Sequence, residues 1–490
     1  MLLCKEREVV GLAKFNLLEE PWIPVLEGGQ VREVSLREAL FNASSIERIE
    51  TPSPLEEAAL HRLLLAILYR AQPPRDLDDA LELLEKGEFD RGQLDAYLNT
   101  YQDRFFLFHP TAPFLQIADL PDEDPLPWSK LLPELSSGNN PTLFDHTLDN
   151  NPPTASYAQA ARALVVHQTF APGGLLRRLG VTSAKDAPLA RPAAFLVTGR
   201  NLFETLVLNL VPQRNLGTPI WEEPPLPTKD VTGYATTWPL EGTARVYTWP
   251  ARGVRLLDEG NGVRFMAYGP GVQPQEVGWR DPMVAYRQQN KTGQILPLRL
   301  SMEKSFWRDF GAMLPGAGGS WPAVVSHAAQ VAEEADLNPR IRVLGQVSDQ
   351  SKVLDIRREV YPLPPGLISP KGEALLQRAL ELAEELGQRL QTAAWRLAQE
   401  VLGTGDQPQL QAFRDSLPLL RLYWAELDGS FPRFLEALNN PGAMEVWREE
   451  LKKAARFAWE ETRRSLGTQA RHLKALVRGE ETLATALATL

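Results

Sequence analysis

The hydrophobic positions of the chain follow two different periods. Between residues 15 and 35, short apolar runs broken by prolines and by a turn at 27–30 predict a two-stranded hairpin at the entry to a sheet. Ser35 can then cap a short helix, with Glu38 as its capping-box partner. Apolar residues at helical spacing predict further helices over 54–69, 76–86, 90–101, 157–170 and 201–211.

Beyond residue 211 the pattern changes twice. From 212 to 322 the chain is rich in Trp, Gly and Pro, and apolar runs at 244–249 and 263–268 predict antiparallel strands. The stretch 283–298 predicts a hairpin with its tip at 290–293. After residues 361–366 the composition shifts to Ala, Leu, Glu, Arg and Gln, and helical periodicity predicts four helices, the last of them broken near Gly479.

These elements predict an α+β protein with a large mixed α/β N-terminal domain followed by an all-α C-terminal four-helix bundle. We place an N-terminal extension at 1–13, the mixed domain at 14–363 and the bundle at 367–490. Removing residues 371–490 is then expected to leave a folded N-terminal domain.

Composition narrows the class of protein. At 490 residues the chain exceeds what one core usually holds, and 43% hydrophobic with 23% charged residues is typical of a soluble globular protein. A formal net charge of −10 argues against binding nucleic acid by bulk attraction but leaves room for a local basic groove. The single cysteine, Cys4, is compatible with a reducing cytoplasm. No apolar run approaches the roughly 20 residues of a membrane span, so we expect no membrane partner.

The sequence lacks the usual signatures of catalysis. Asn290-Lys291-Thr292, the nearest match to a nucleotide-binding loop, has no glycine before the lysine. The six histidines are scattered, without a His-x-x-x-His pair, and one cysteine cannot build a cysteine-cluster zinc site. No Gly-x-Ser-x-Gly nucleophile elbow occurs. We therefore expect no enzyme activity, no metal and no cofactor.

A glycine pair, Gly173 and Gly174, follows the helix predicted over 157–170. Paired glycines let backbone N–H groups approach a ligand closely. Basic residues follow at Arg177, Arg178, Lys185, Arg191 and Arg200. The combination suggests a phosphate-binding loop, although Gly-Gly is also a common end of a helix.

Three other positions stand out on predicted loop tips. Residues 345–359 begin as a polar turn and become an alternating run, which presents Asp349 and Gln350 on a tip carried by a strand or short helix; an ordinary polar turn is the alternative. Lys291 would project from the hairpin over 283–298, where a solvated lysine is the alternative. Phe144 is a large apolar residue in the long loop 121–153, so burial under the loop competes with a partner contact.

Three motifs, taken in order, resemble the CasA family, the large subunit of the type I-E CRISPR Cascade complex. They are the run 15–25 with Trp22-Ile23-Pro24, the run 171–174, and Ser348-Asp349-Gln350 ahead of 353–359. The resemblance covers the chain from about residue 14 to residue 490. It implies a non-enzymatic subunit of an RNA-guided antiviral defence complex that recognises the protospacer-adjacent motif in double-stranded target DNA. It also implies that the subunit starts duplex opening and helps to recruit the helicase–nuclease.

The resemblance also implies roles for individual residues. Gly173 and Gly174 look like the family's glycine loop, whose backbone faces the motif in the minor groove, and Gln350 beside Asp349 looks like the glutamine wedge that parts the strands. Lys291 is similar to the lysine finger, with Arg287 as the alternative. Phe144 lies in the segment that resembles the docking site for the guide RNA 5′ handle and for another Cascade subunit.

Two features restrict the roles that can be assigned to this chain from the resemblance. Some relatives carry a cysteine cluster that suggests zinc, and this chain does not, so no metal is transferred. The carboxylate of Asp349 would repel phosphate, which leaves its role open. The narrow minor groove does favour backbone, lysine and amide groups over a reading helix. The alternative function is a structural scaffold in a ribonucleoprotein without a DNA-reading role.

Overall fold

The computed structural model describes residues 13–134, 151–289, 292–349, 352–403, 405–467 and 469–488. The chain divides into two compact units. The first joins the described residues up to Lys304 with Gly319–Val360, and the second joins Ser305–Gly318 with the described residues from Tyr361 onward. The second unit therefore contains a short segment from the middle of the chain as well as the C-terminal region.

In the described part of the first unit, the first six α-helices each begin after a polar residue whose side chain caps them. Ser35 accepts a hydrogen bond from the Glu38 N–H, as predicted, and Ser53 caps the next helix in the same way. Such caps satisfy N–H groups that the first turn leaves without a helical partner. The α-helices in the described part of this unit are α1 (Leu36–Phe41), α2 (Pro54–Ala71), α3 (Leu77–Lys86), α4 (Arg91–Thr100), α5 (Tyr157–Phe170), α6 (Leu202–Asn209), α7 (Thr228–Val231), α8 (Thr243–Tyr247) and α9 (Ala323–Glu334).

The described strands differ in length, and the last two are the longest. They are β1 (Lys14–Asn16), β2 (Ile23–Glu27), β3 (Gln30–Val34), β4 (Arg48–Ile49), β5 (Phe106–Phe108), β6 (Leu126–Pro127), β7 (Gly174–Arg178), β8 (Val181–Ala184), β9 (Ala194–Thr198), β10 (Thr237–Pro239), β11 (Arg252–Asp258), β12 (Val263–Pro270), β13 (Gln273–Gln275), β14 (Tyr286–Gln288), β15 (Ile295–Pro297), β16 (Gly319–Ser320), β17 (Arg340–Asp349) and β18 (Lys352–Pro362).

These strands form small two- and three-stranded sheets. The predicted hairpins over 15–35 and 283–298 are confirmed as the antiparallel pairs β2–β3 and β14–β15. β17 lies between β18 and β9 in another sheet. Two residues separate β17 from β18, and parallel neighbours need a crossover of about a dozen, so the pair is a hairpin. The polar stretch 345–359 is therefore carried by two long strands.

One predicted strand is wrong. The run 244–249 lies mostly in α8, and four of the five residues of this helix are buried, without the alternation of a strand. Its Tyr247 ring lies against the guanidinium of Arg62 on α2, at 3.9 Å from the ring centroid. Burial against α2 outweighs the strand propensity of Val246 and Tyr247.

The second unit confirms the predicted helical C-terminal region. Its described residues form five α-helices where the sequence predicts four: α10 (Pro370–Leu402), α11 (Gln407–Ser416), α12 (Leu419–Glu436), α13 (Ala443–Leu466) and α14 (Ala470–Ala488). The second predicted helix is split at Leu417, which is extended at φ −71° and ψ 136°. A residue before proline avoids the helical conformation, and Pro418 follows here. α14 runs through Gly479 without the predicted interruption.

Candidate nucleic-acid interface

The glycine loop, residues 171–174, connects the end of α5 to β7. The Gly173 N–H donates to Asp186 Oδ1 at 2.6 Å, and Arg191 Nε donates to the other oxygen of that carboxylate at 2.6 Å. A Cβ on Gly173 would lie 2.9 Å from the Asp186 nitrogen and 3.0 Å from the Ala184 oxygen. Glycine is needed at 173 for space, and its N–H is used inside the loop. This corrects the expectation that its N–H would be available to a ligand.

Gly174 has a different role from its neighbour. It begins β7 with a φ of 151° and pairs across the hairpin with Ala184. This φ lies in the region that favours glycine over residues with a Cβ. Close packing therefore requires glycine at 173, and the backbone conformation favours glycine at 174.

Arg252 holds the carbonyl side of the glycine loop. This arginine is almost fully buried at the start of β11, and its guanidinium donates to the carbonyl oxygens of Pro172 at 2.7 Å and Lys185 at 2.9 Å. Bonds from a charged donor are stronger than those between neutral groups. Arg252 therefore keeps the two ends of the β7–β8 hairpin together and sets the position of the loop.

His167 supports the loop from α5. Burial lowers the pKa of His167 to about 3, so the imidazole is neutral. Its Nδ1 lies 3.0 Å from the Leu131 carbonyl oxygen and its Nε2 lies 2.9 Å from the Tyr268 hydroxyl. A carbonyl only accepts, so Nδ1 carries the proton and Nε2 accepts from Tyr268. The imidazole thereby joins α5 to β12 and to the segment before residue 135.

A cavity of about 590 Å³ opens beside the glycine loop. Both glycines line it, together with Lys352 and Val353 at the start of β18. Four cationic side chains line it: Lys130, Arg178, Arg252 and Lys352. Among the described residues, no Asp or Glu lines this cavity. We call it the basic cavity, and in a chain with a net charge of −10 it is a local site suited to anions.

The basic residues after the glycine pair do not all serve this site. Arg178 pairs with Asp124 and Arg191 with Asp186. Arg200 pairs with Glu204 at 2.5 Å and lines a different cavity, beside α3 and α6. Arg177 and Lys185 are exposed on the β7–β8 hairpin and its end. Four of the five predicted basic residues thus lie near the loop, and Arg200 does not.

The hairpin β17–β18 brings its own residues to the same site. Asp349 is exposed at the end of β17, and Lys352 is exposed at the start of β18. Gln346 on β17 is buried, and its Nε2 donates to the carbonyl oxygens of Phe170 at 3.0 Å and Ala190 at 2.8 Å. The hairpin is therefore tied directly to the end of α5, where the glycine loop begins.

Some predicted residues cannot be placed. Phe144, Lys291 and Gln350 lie outside the described residues. The alternative lysine-finger position, Arg287, is exposed on β14, opposite Leu296 of β15. The predicted roles of all these residues stay predictions.

The site includes residues that sequence reasoning missed. Arg252 and Gln346 are polar residues inside apolar runs, and such residues usually lie at the surface. Only the three-dimensional contacts show that each one binds carbonyl oxygens around the glycine loop. No local signal in the sequence marks them.

Two further properties concern function. In the part of the chain that the structure describes, no group of three or more His, Cys, Asp or Glu side chains could hold a metal ion. None of the helices in the described ranges is both long and apolar enough to cross a bilayer.

Comparison with known proteins defines the class as a CRISPR-associated protein. The model of the CRISPR-associated protein Cse1 family matches residues 16–458. The CasA/Cse1 protein of Thermus thermophilus is 61% identical over 485 residues, with 96% of each chain covered. The chain belongs to the Cse1 family, which confirms the resemblance to CasA found in the sequence motifs.

Solved structures share the fold. The structure of Thermus thermophilus CasA (Cse1) superposes with a TM-score of 0.91 at 58% identity, covering 98% of this chain and 100% of that one. A chain of a CRISPR RNA-guided surveillance complex has a TM-score of 0.76 at 23% identity, covering 96% of this chain and 99% of that one.

Proposed function

We propose that this chain is the large, motif-reading subunit of an RNA-guided CRISPR surveillance complex. It binds double-stranded target DNA at the protospacer-adjacent motif, opens the adjoining base pairs for the guide RNA, and helps to recruit the helicase–nuclease. It performs no chemistry itself and acts in the cytoplasm, together with the other Cascade subunits. Phe144 contributes to docking at the guide RNA 5′ handle.

The basic cavity is the observation that carries this proposal. It is lined by four cations and by no carboxylate among the described residues, and it lies between the glycine loop and the start of β18. Two of the four have partners as well, since Arg178 pairs with Asp124 and Arg252 binds backbone carbonyl oxygens. A phosphate backbone is the polyanion that such a site fits, because lysine and arginine neutralise phosphates and release counterions. Membership of the Cse1 family and the shared fold with a chain of a surveillance complex support the same assignment.

The site geometry also favours opening of the duplex beside the motif. β17 ends at Asp349, β18 begins at Lys352, and Gln346 ties β17 to the carbonyl of Phe170. A glutamine at position 350 has donors and acceptors that can replace the bonds of a parted base pair. Unstacking a base step costs a few kcal/mol, so a group placed to offset part of that cost speeds opening.

The test is Gln350→Ala in the reconstituted complex. We expect slower formation of the RNA–DNA hybrid on a fully paired target, and near-normal formation on a target that is already mismatched beside the motif. Gln30→Ala, an exposed glutamine at the tip of the β2–β3 hairpin, is the matched control. An equal fall in the rate of hybrid formation on both targets would indicate reduced affinity or misfolding. No loss on either would favour the scaffold function.

A further inference from the structure

Glu57 on α2 joins both strands of the hairpin β17–β18. Its carboxylate accepts from Arg342 Nη1 on β17 and, at 2.7 Å, from Arg358 Nε on β18. Arg358 Nη2 also donates to the Thr51 carbonyl oxygen at 2.9 Å. Glu57 is only 1% exposed, so these contacts form with little screening by water. One buried carboxylate thus fixes both strands of the hairpin to one helix.

The outer strand of the hairpin is held near its middle by two adjacent arginines. Arg357 donates to the carbonyl oxygens of Lys304 at 3.2 Å and Met302 at 3.3 Å, next to the contact of Arg358 with Glu57. β18 is the edge of the sheet β18-β17-β9, and the pairing of β17 with β9 covers Arg340–Leu344. At about 3.3 Å per residue, the six-residue step from Arg358 to Lys352 spans about 20 Å. A tilt of about 10° at Arg358 would move the far end of the strand by about 3.5 Å, close to the rise of about 3.4 Å between base pairs. A small tilt would therefore displace Lys352 by about one base step.

A second contact fixes the same hairpin against the glycine loop. Gln346 lies between Arg342 and the tip, and it binds the Phe170 and Ala190 carbonyl oxygens. Glu57 therefore holds the base of the hairpin, and Gln346 holds its middle. Between them they fix the position of the described ends of the hairpin, Asp349 and Lys352, relative to the glycine loop.

We propose that Glu57 is a positioning residue for duplex opening. By holding Arg342 and Arg358 it keeps the ends of β17 and β18 in register with the base step beside the motif, so that binding of the motif leads to strand separation there. This inference rests on the proposed function, and Glu57 itself touches no DNA. A loose hairpin would bind the motif and then yield instead of parting the strands.

The test compares Glu57→Gln with Asp281→Asn in the reconstituted complex. Asp281 is also buried and accepts from an arginine of α2, Arg62, at 2.7 Å, and its hydrogen bonds do not involve the hairpin. Both variants remove one buried carboxylate charge from the same unit. Assays at a temperature well below the unfolding of either variant compare a fully paired target with one mismatched beside the motif.

We expect Glu57→Gln to slow hybrid formation on the paired target at least about fivefold more than Asp281→Asn does. On the mismatched target, the rate of hybrid formation with Glu57→Gln should stay within about twofold of the rate with the unaltered complex. Equal slowing on both targets, or slowing no greater than that of Asp281→Asn, would overturn the proposal. If Glu57→Gln does not assemble, Arg358→Lys decides by the same criterion, since it keeps the charge but loses the two-pronged contact with Glu57 and Thr51.

Gln350→Ala, run beside these variants, separates the two proposals. A variant is selective if it slows hybrid formation on the paired target alone. If Gln350→Ala is selective and Glu57→Gln is not, the positioning role of Glu57 is wrong and the proposed function stands. If Glu57→Gln is selective and Gln350→Ala is not, the hairpin opens the duplex without a glutamine wedge. If neither is selective, both the positioning role and the opening function are wrong.

Discussion

The individual cations of the site differ in how available they are to an anionic ligand. Arg178 and Arg191 already hold carboxylates, whereas Arg177 and Lys185 are exposed. A count of basic residues after the glycine pair therefore overstates the charge that is available to a phosphate. An ion pair in water can still open at low cost, because exposed pairs contribute only about 0–1 kcal/mol. The position of each cation relative to the basic cavity matters more than its presence in the sequence.

The proposal that Lys291 or Arg287 contacts a phosphate can be tested by the salt dependence of binding. We expect Lys291→Gln to lower the slope of log affinity against log salt by about one unit if Lys291 touches a phosphate, and Arg287→Gln to do so if Arg287 takes that role. The measurement is binding of target duplexes to the complex over a series of salt concentrations. Lys86→Gln, an exposed lysine on α3, is the control. Affinity lost only for the correct motif would indicate a base contact, and no change in either variant would remove both from the interface.

Sequence reasoning reached some residues of this site and missed others for a physical reason. It found Gly173 because a glycine pair at the end of a helix is a local pattern, but the N–H of Gly173 binds Asp186, thirteen residues along the chain. Glu57 binds Arg358 across 301 residues, and Gln346 binds Phe170 across 176. Contacts at such separations leave no periodicity in the sequence.

At the scale of elements, the sequence predicts best where structure depends on neighbours in the chain. The β2–β3 and β14–β15 hairpins follow from their turns and alternation. The α8 helix was missed because its conformation depends on packing against α2. In the second unit, α14 continues through Gly479, where a Cβ would lie 2.2 Å from the Trp459 ring of α13. This glycine permits close packing and does not end the helix.

Two glycines in helices make a matched test of that argument. Gly479→Ala should destabilise the protein by about 1–3 kcal/mol, because overpacking against Trp459 outweighs the gain of about 1 kcal/mol in helix propensity. Gly429→Ala in α12 meets no atom within 4 Å and should stabilise by about 0.4–1 kcal/mol. Denaturant unfolding of the isolated chain measures both. Stabilisation by Gly479→Ala would show that Trp459 moves aside at little cost.

At the scale of the whole molecule, chain order and structural units do not coincide. Residues 305–318 belong to the second unit although they lie far before the compositional change at 361–366. Within that unit the Trp307 ring stacks on Phe431 at 4.5 Å between ring centroids, and its Nε1 donates to Asp428 at 2.7 Å. Composition cannot reveal this segment, because its short 3₁₀ helix, Phe306–Met313, is flanked along the chain by the strand-rich sequence of the first unit.

This arrangement changes the outcome expected for removal of residues 371–490. The deletion takes away Phe431 and Asp428, so Phe306, Trp307 and Phe310, all buried in the full chain, lose cover at a cost of about 2 kcal/mol each. We expect the fragment to bind a hydrophobic dye and to self-associate in light scattering. A second fragment carrying Trp307→Ser and Phe310→Ser should stay monomeric, which assigns the association to this segment. If the unaltered fragment is monomeric and binds no dye, the first unit covers these aromatic residues by itself, and the simpler expectation from composition is correct.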